Sequence, residues 1–185
     1  MSNSNANMAI ILCLLIYAHA TKALELVQSF SARSVGSLNM SPVGFGCWQY
    51  GNKFLWNYDE ANDDELKRVF EYSCGIRNIW FDTAEVYGKD HRSENLLGKF
   101  LSSSRHGDRR PQLLTKCAPQ ILKIGKESLI SSGEKSLSRL GTDVIDLYQL
   151  HWPPTPALWQ EKEYIQGLVK IFIVCSKFMN NPFFT

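Results

Sequence analysis

Residues 136–153 read SLSRLGTDVIDLYQLHWP. The stretch holds a helix end, a stop, a buried strand and a polar residue where that strand finishes. Upstream, Glu127 to Leu140 is predicted helical, with Ile130, Leu137 and Leu140 facing inward and Gly141 as its C-cap. Gly133 inside it costs about 1 kcal/mol against Ala. Val144 to Leu150 reads as a strand that stops at His151.

The same cycle recurs toward the N-terminus. Leu113-Leu114-Thr115 is a strand ending at Lys116, preceded by a helix from Glu94 to Leu101 with Leu96, Leu97, Phe100 and Leu101 as its apolar stripe. Ser93 is its expected N-cap. Ile79-Trp80-Phe81 is a strand stopping at Asp82. Before it, Asp63 to Ser73 is a helix with Leu66, Val69 and Phe70 on one face, capped by Asn62 or Asp63 and ended by Gly75. A short apolar piece, Val43 to Gly46, opens the series and leads to Cys47-Trp48.

Strand and helix alternating in this way imply right-handed crossovers and a parallel α/β sheet. Two architectures place chemistry at strand C-termini: the closed barrel and the open doubly wound sheet. The second would carry GxGxxG after its first strand. Gly44, Gly46 and Gly51 lack that spacing.

Asp82, Tyr87, Lys116 and His151 stand where three consecutive strands end, within FDTAEVYG (81–88), LLTK (113–116) and DLYQLHW (146–152). A phenol, with pKa about 10, is a poor acid at neutral pH unless tuned. A neighbouring ammonium favours its ionised form. Lys116 can supply that charge, Asp82 can pair with and position Lys116, and His151 can bond a carbonyl oxygen as charge develops on it. The set suits protonation of an aldehyde or ketone that is receiving hydride, and the hydride must come from a cofactor. Taken singly, Asp82 is also readable as a loop cap, Tyr87 as a rim aromatic, Lys116 as a solvated charge and His151 as a satisfied core histidine; their joint occurrence argues against those readings.

These phrases, with SPVGFGCWQYGN (41–52) and SENLLGKFL (93–101), resemble the aldo-keto reductase superfamily in order and spacing from residue 38 to about 153. The opening and WNYDEANDDEL (56–66) look most like the plant and algal branch that includes pyridoxal reductases. The resemblance implies a (β/α)8 TIM barrel, of which the chain would hold about the first four to five β/α units. It implies NADPH as cofactor, bound in extended form, and a small carbonyl compound as substrate. By motif position Tyr87 would be the acid, Lys116 and Asp82 its tuning pair, and His151 the residue that orients substrate. Cys47, Trp48 and Asp82 match cofactor-contacting positions, and Trp48 and Trp152 substrate-contacting ones. Trp48 and Trp152 are equally readable as packing aromatics, and Cys47 as a packing thiol.

Beyond residue 153 the pattern departs. Gly167-Leu168-Val169-Lys170 arrives early, leaving Trp159 to Gln166 for the crossover helix. Eight helical residues span about 12 Å, short for a return along a strand of about 17–20 Å. Cys175 and Ser176 fall where the family pattern has the Ser-Asn pair that holds the cofactor's carboxamide. The sequence is therefore expected to be a C-terminally truncated barrel, with residues 41–176 as the barrel portion and 177–185 as a divergent tail. Open barrel edges and an apolar tail predict self-association or a completing partner. The alternative function is a catalytically incomplete or regulatory fragment acting through such a partner.

The 185 residues suffice for one domain, and 44% hydrophobic content fits a packed core. A net charge of +2 without a basic stripe argues against nucleic acid. Cys13, Cys47, Cys74, Cys117 and Cys175 are scattered singly and read as reduced packing residues; no metal site is expected. AIILCLLIYA (9–18), followed by small residues, reads residues 1–23 as a signal-like targeting segment, too short for a stable membrane span. Residues 24–40 read as a linker. A secretory route, or a plastid reached through a two-step signal, is expected, with a cytosolic location as the alternative.

Overall fold

The apolar runs at residues 45–46, 80–82, 112–117 and 147–150 assemble into one parallel sheet. In the computed structural model, which describes residues 31–104, 110–119 and 125–152 together with Lys22 and Gln166, these runs are strands β3 (Phe45–Gly46), β4 (Trp80–Asp82), β5 (Gln112–Cys117) and β6 (Leu147–Leu150). They lie side by side in sequence order. Helices separate them: the short α1 (Lys53–Trp56) and α2 (Asp63–Ser73) between β3 and β4, α3 (Arg92–Ser103) between β4 and β5, and α4 (Gly125–Leu140) between β5 and β6. This is the strand–helix alternation expected of a parallel α/β fold.

Register decides what meets at the C-terminal edge. Phe81 pairs with Phe45 on one side and Leu113 on the other, while Lys116 pairs with Gln149. The backbone ladder continues past the strand ends. Cys47 N–H donates to the Asp82 carbonyl at 2.8 Å, Thr83 to Leu114 at 2.8 Å, and Glu85 to Lys116 at 3.1 Å. His151 N–H donates to the Cys117 carbonyl at 2.8 Å. The segments that leave the strands are thus held to the neighbouring strand for several residues, a rigid base for side chains beyond the edge.

One core joins the sheet to α2, α3 and α4. Phe70 of α2, Phe81 of β4 and Phe100 of α3 are buried against one another, with ring centroids 4.8 Å apart for Phe70–Phe81 and 5.9 Å for Phe70–Phe100. Leu97, Leu113 and Leu140 complete the layer. Each such side chain contributes about 1.5–3 kcal/mol relative to an exposed position. Gly98 of α3 faces the end of α4 so closely that a Cβ there would lie 2.3 Å from the Arg139 carbonyl oxygen. The predicted C-cap Gly141 takes φ +62°, the left-handed turn that ends α4.

Several local expectations are revised. Ser93 does not cap α3. The helix begins at Arg92, and the buried Ser93 hydroxyl donates instead to the Cys47 carbonyl at 2.7 Å and lies 2.8 Å from the Thr83 hydroxyl. A serine that finds two partners from other segments is worth more in the interior than at an exposed cap. Asn62 precedes α2 without a side-chain cap bond, because a 3-10 turn at Glu60–Asn62, capped by Asp59, leads straight into the helix. Beyond α2, Gly75 N–H donates to the Tyr72 carbonyl at 3.1 Å, and the positive φ in this connection falls at Asn78. Residues 33–40, read as part of a linker, form an antiparallel hairpin of β1 (Arg33–Val35) and β2 (Leu38–Met40). The hairpin is tied to the sheet by Gln112 Nε2 donating to the Asn39 carbonyl at 3.1 Å. Strand β6 begins at Leu147, since Asp146 is spent on its neighbours: its carboxylate accepts from Leu113 N–H at 2.7 Å and from Arg110 at 2.7 Å.

Cys47, Cys74 and Cys117 are buried thiols, and burial pushes the Cys74 thiol up to about 11. Among the described residues no helix is long and apolar enough to cross a membrane. The targeting segment at 1–23 (Lys22 apart), Cys13, the short crossover at 159–166 (Gln166 apart), Cys175, Ser176 and the tail at 177–185 lie outside the described residues.

Candidate active site

Asp82 is the last residue of β4, Lys116 the penultimate residue of β5, and His151 the first residue past β6. Tyr87 sits on the segment that leaves β4, where its N–H donates to the Ala84 carbonyl at 3.0 Å and its carbonyl accepts from Ser93 at 3.2 Å. Parallel strands in register bring these four side chains to one end of the sheet.

Lys116 is the centre of the group. Its ammonium donates to Asp82 Oδ2 at 2.7 Å and to the Thr83 carbonyl at 2.8 Å, and it lies 3.4 Å from the Tyr87 hydroxyl. An ammonium has three donors, and each has a partner here. The side chain is only 13% exposed, so this orientation is enforced by packing as well as by charge. On the opposite side, His151 Nε2 lies 3.3 Å from the same Tyr87 oxygen. The phenol oxygen therefore stands between an ammonium and an imidazole.

The His151 ring is held below its ordinary value, by burial first and by the Lys116 ammonium second; Asp82 and Glu85 act in the opposite sense. The imidazole is therefore neutral near pH 7. Its Nδ1 is buried without a hydrogen-bond partner. A hydrogen placed on Nδ1 would be buried unpaired, which is costly. A hydrogen on Nε2 would instead meet the Tyr87 oxygen, 3.3 Å away.

Aromatic rings line the opening. Trp152, 43% exposed, lies against His151 with centroids 4.7 Å apart, and Trp48, 48% exposed, lies 6.4 Å from the Tyr87 ring. Of the two readings of Cys47, its side chain takes the packing one. It is fully buried in the core cluster and its thiol points to the Phe45 carbonyl at 3.8 Å. Burial, reinforced by Asp82, pushes the thiol up, so it remains a neutral packing group rather than a rim contact.

Residues that sequence reasoning did not single out hold the site in place. Glu85, buried, accepts from Ala118 N–H at 2.8 Å and so fixes the segment after β5 against the segment after β4; its carbonyl meets His91 Nδ1. Glu94, fully buried in α3, accepts from the Thr115 hydroxyl at 2.7 Å and from Arg139 Nε at 2.5 Å. Thr115 precedes Lys116, so this bond braces the strand that carries the ammonium. In the sequence, the only trace of Glu94 is an acid inside an otherwise apolar helical face. Beside the site, a groove of about 610 Å³ is lined by Lys53, Tyr58, Glu60, Val86, Gly88 and Arg92, among others, and by none of the four central residues. Three of its charged residues pair with one another, Lys53 with Glu60 at 3.4 Å and Arg92 with Glu60 at 3.2 Å. The four central residues lie at the strand ends, outside this groove. Among the described residues no cluster of His, Cys, Asp and Glu could hold a metal ion.

This geometry agrees with comparison to known proteins. Residues 42–170 match the aldo/keto reductase family, and the chain belongs to that family. It is 35% identical over 156 residues to the chloroplastic pyridoxal reductase of Arabidopsis thaliana, covering 80% of this chain and 43% of the relative. It is 30% identical over 134 residues to the NADH-specific methylglyoxal reductase of Escherichia coli, covering 64% of this chain and 40% of that protein. Among solved structures, an aldo/keto reductase from Klebsiella pneumoniae in complex with NADP and acetate superposes with a TM-score of 0.58 at 27% identity, over 73% of this chain and 42% of that one. The chain thus spans less than half the length of these relatives.

Proposed function

We propose that this chain reduces an aldehyde or ketone to an alcohol at the expense of NADPH, with Tyr87 as the general acid. The observation that carries the reading is the phenol oxygen set between Lys116 Nζ at 3.4 Å and His151 Nε2 at 3.3 Å. A carbonyl oxygen seated against the Tyr87 hydroxyl and the His151 Nε2–H receives two hydrogen bonds as negative charge grows on it. The Tyr87 proton passes to that oxygen, giving the alcohol. The charge left on the phenol is met by the Lys116 ammonium, which Asp82 keeps in position.

The described residues fit the reactive end of a nicotinamide cofactor. Asp82, with 28% of its side chain exposed, and Trp48, 48% exposed and 6.4 Å from the Tyr87 ring, would hold that end. When bound, the cofactor supplies hydride to the carbonyl carbon. The phosphate form is favoured by the Klebsiella relative, whose structure contains NADP, although the Escherichia coli relative is NADH-specific. The fold that supports this chemistry is read as the opening part of a TIM barrel, residues 41–176, preceded by a targeting segment. The chloroplastic location of the Arabidopsis relative favours a plastid destination.

The reading is tested by tryptophan quenching on NADPH addition and by aldehyde-dependent loss of NADPH absorbance. Tyr87→Phe is expected to keep the quench and lower turnover by about 10²-fold or more, the usual worth of a positioned acid. Turnover retained in that variant overturns the assignment of Tyr87.

A further inference from the structure

The segment after Trp48 carries a surface that the proposed reaction does not use. Helix α1 is too short to persist alone, yet it is tied down at both ends. The Asn52 side chain accepts from Leu55 N–H at 2.9 Å, and Asn57 closes the helix in the left-handed conformation. Next, Tyr58 OH bonds Asp63 of α2, and Glu60 joins Lys53 and Arg92 at 3.4 and 3.2 Å. This anchored loop turns Trp56 outward with 51% of its surface exposed. Its ring meets Trp48 edge-on, with centroids 5.4 Å apart and an interplanar angle of 76°. Trp48 in turn lies 6.4 Å from the Tyr87 ring. Tyr87, Trp48 and Trp56 therefore form a stepped row of aromatic rings, the shelf, leading outward from the phenol.

We propose that Trp56 is a specificity-determining residue: it fixes the tilt of Trp48 and extends it into a wall for the aromatic ring of a carbonyl substrate. The inference rests on the reductase reading of the site. Edge-to-face aromatic pairs prefer defined geometry, and two half-exposed indoles at 76° form an apolar corner, in which a flat ligand can lie on one ring and meet the other at its edge. A small aliphatic carbonyl, reaching only the Tyr87 and His151 donors, would not sense Trp56. An aromatic one would lie along the shelf while its carbonyl reaches Tyr87. Trp56 acts both by holding Trp48 and by its own ring, so an aromatic replacement should preserve its effect.

The test uses the 185-residue chain with alcohols as probes, because aldehydes condense with lysine amines. Dissociation constants for benzyl alcohol and 1-butanol are measured by saturation-transfer NMR for the unmodified chain, Trp56→Ala and Trp56→Phe. Trp56→Ala is expected to weaken benzyl alcohol about three- to tenfold, the worth of one aromatic pair, and to leave butanol unchanged. Trp56→Phe should restore benzyl alcohol binding to about twofold of the unmodified value. Equal binding of benzyl alcohol by all three chains overturns the proposal, as does no binding by the unmodified chain. Unchanged probe binding with altered sedimentation also overturns it and makes the shelf an interface between copies. NADPH oxidation with acetaldehyde reports on the reductase reading separately. Selective benzyl alcohol binding without turnover supports the shelf and counts against the reductase reading, and turnover without selectivity does the reverse.

Discussion

Lys116 and Asp82 form an ion pair at 2.7 Å across adjacent strands, with 13% and 28% of their side chains exposed. Asp82→Asn keeps the shape and removes the charge. The pair lies between the surface and the buried limits, so the expected loss of stability is about 1–2 kcal/mol, read from urea unfolding. Turnover should fall by more than that stability change explains, because the ammonium loses the partner that holds it near the Tyr87 oxygen. An unchanged unfolding midpoint would show that solvent already screens the pair.

The neutral imidazole of His151 gives a defined pH signature. Burial, then Lys116, hold this ring below its ordinary value of 6.5. The unfolded chain therefore takes up a proton on this histidine at a higher pH than the folded chain does. Its stabilising contribution is complete above about 6.5, declines as pH falls below that value, and levels off once the folded ring is also protonated. His151→Gln has no such step. The difference in unfolding free energy between the unmodified chain and His151→Gln should shrink between about pH 7.5 and pH 5. A difference constant over that window would mean that the ring titrates alike in both states.

The positions of the strands and the convergence of Asp82, Tyr87, Lys116 and His151 were legible because each lies in or beside a short apolar run whose end is marked by a polar residue. Parallel pairing in register then puts such ends together, and no distant contact is needed to predict it. What was illegible depended on contacts between segments far apart in sequence. Ser93 carries the local signature of an N-cap, yet its hydroxyl is claimed by Cys47, 46 residues away. Cys47 follows a strand just as Trp48 does, but their neighbours send one inward to the core and the other outward to the rim. The hairpin at residues 33–40 has little hydrophobic periodicity, and its tie to Gln112 bridges 73 positions. Trp56 opens a stretch that carries the family resemblance, but its contact with Trp48 depends on how the intervening loop folds.

The Glu94 carboxylate is fully buried, and its pairing with Arg139 links α3 to α4. Arg139→Met leaves that carboxylate with the Thr115 hydroxyl alone and should destabilise the chain by about 3 kcal/mol, the usual penalty for an orphaned buried charge. Adding Glu94→Gln removes the charge while keeping an acceptor for Thr115. The double variant should therefore be more stable than Arg139→Met alone, as measured by denaturant midpoints. Additive losses would mean that Glu94 and Arg139 contribute independently and that no stranded charge is involved.

Gly98 offers a test of the same helix contact that involves no charge. A Cβ at this position would meet the Arg139 carbonyl oxygen at 2.3 Å and the Leu140 backbone at 3.0 Å. Backbone atoms cannot swing aside as a flexible side chain can, so α3 and α4 must separate. In an open helix Gly→Ala stabilises by roughly 0.5–1 kcal/mol, whereas here overpacking should dominate and destabilise by about 1–3 kcal/mol. Because α3 also carries Glu94, separation should lengthen the bond to Thr115 and loosen the strand bearing Lys116. Gly98→Ala is thus expected to lower both the unfolding midpoint and NADPH-dependent turnover. Stabilisation by this substitution would show that the two helices are not in the close contact described.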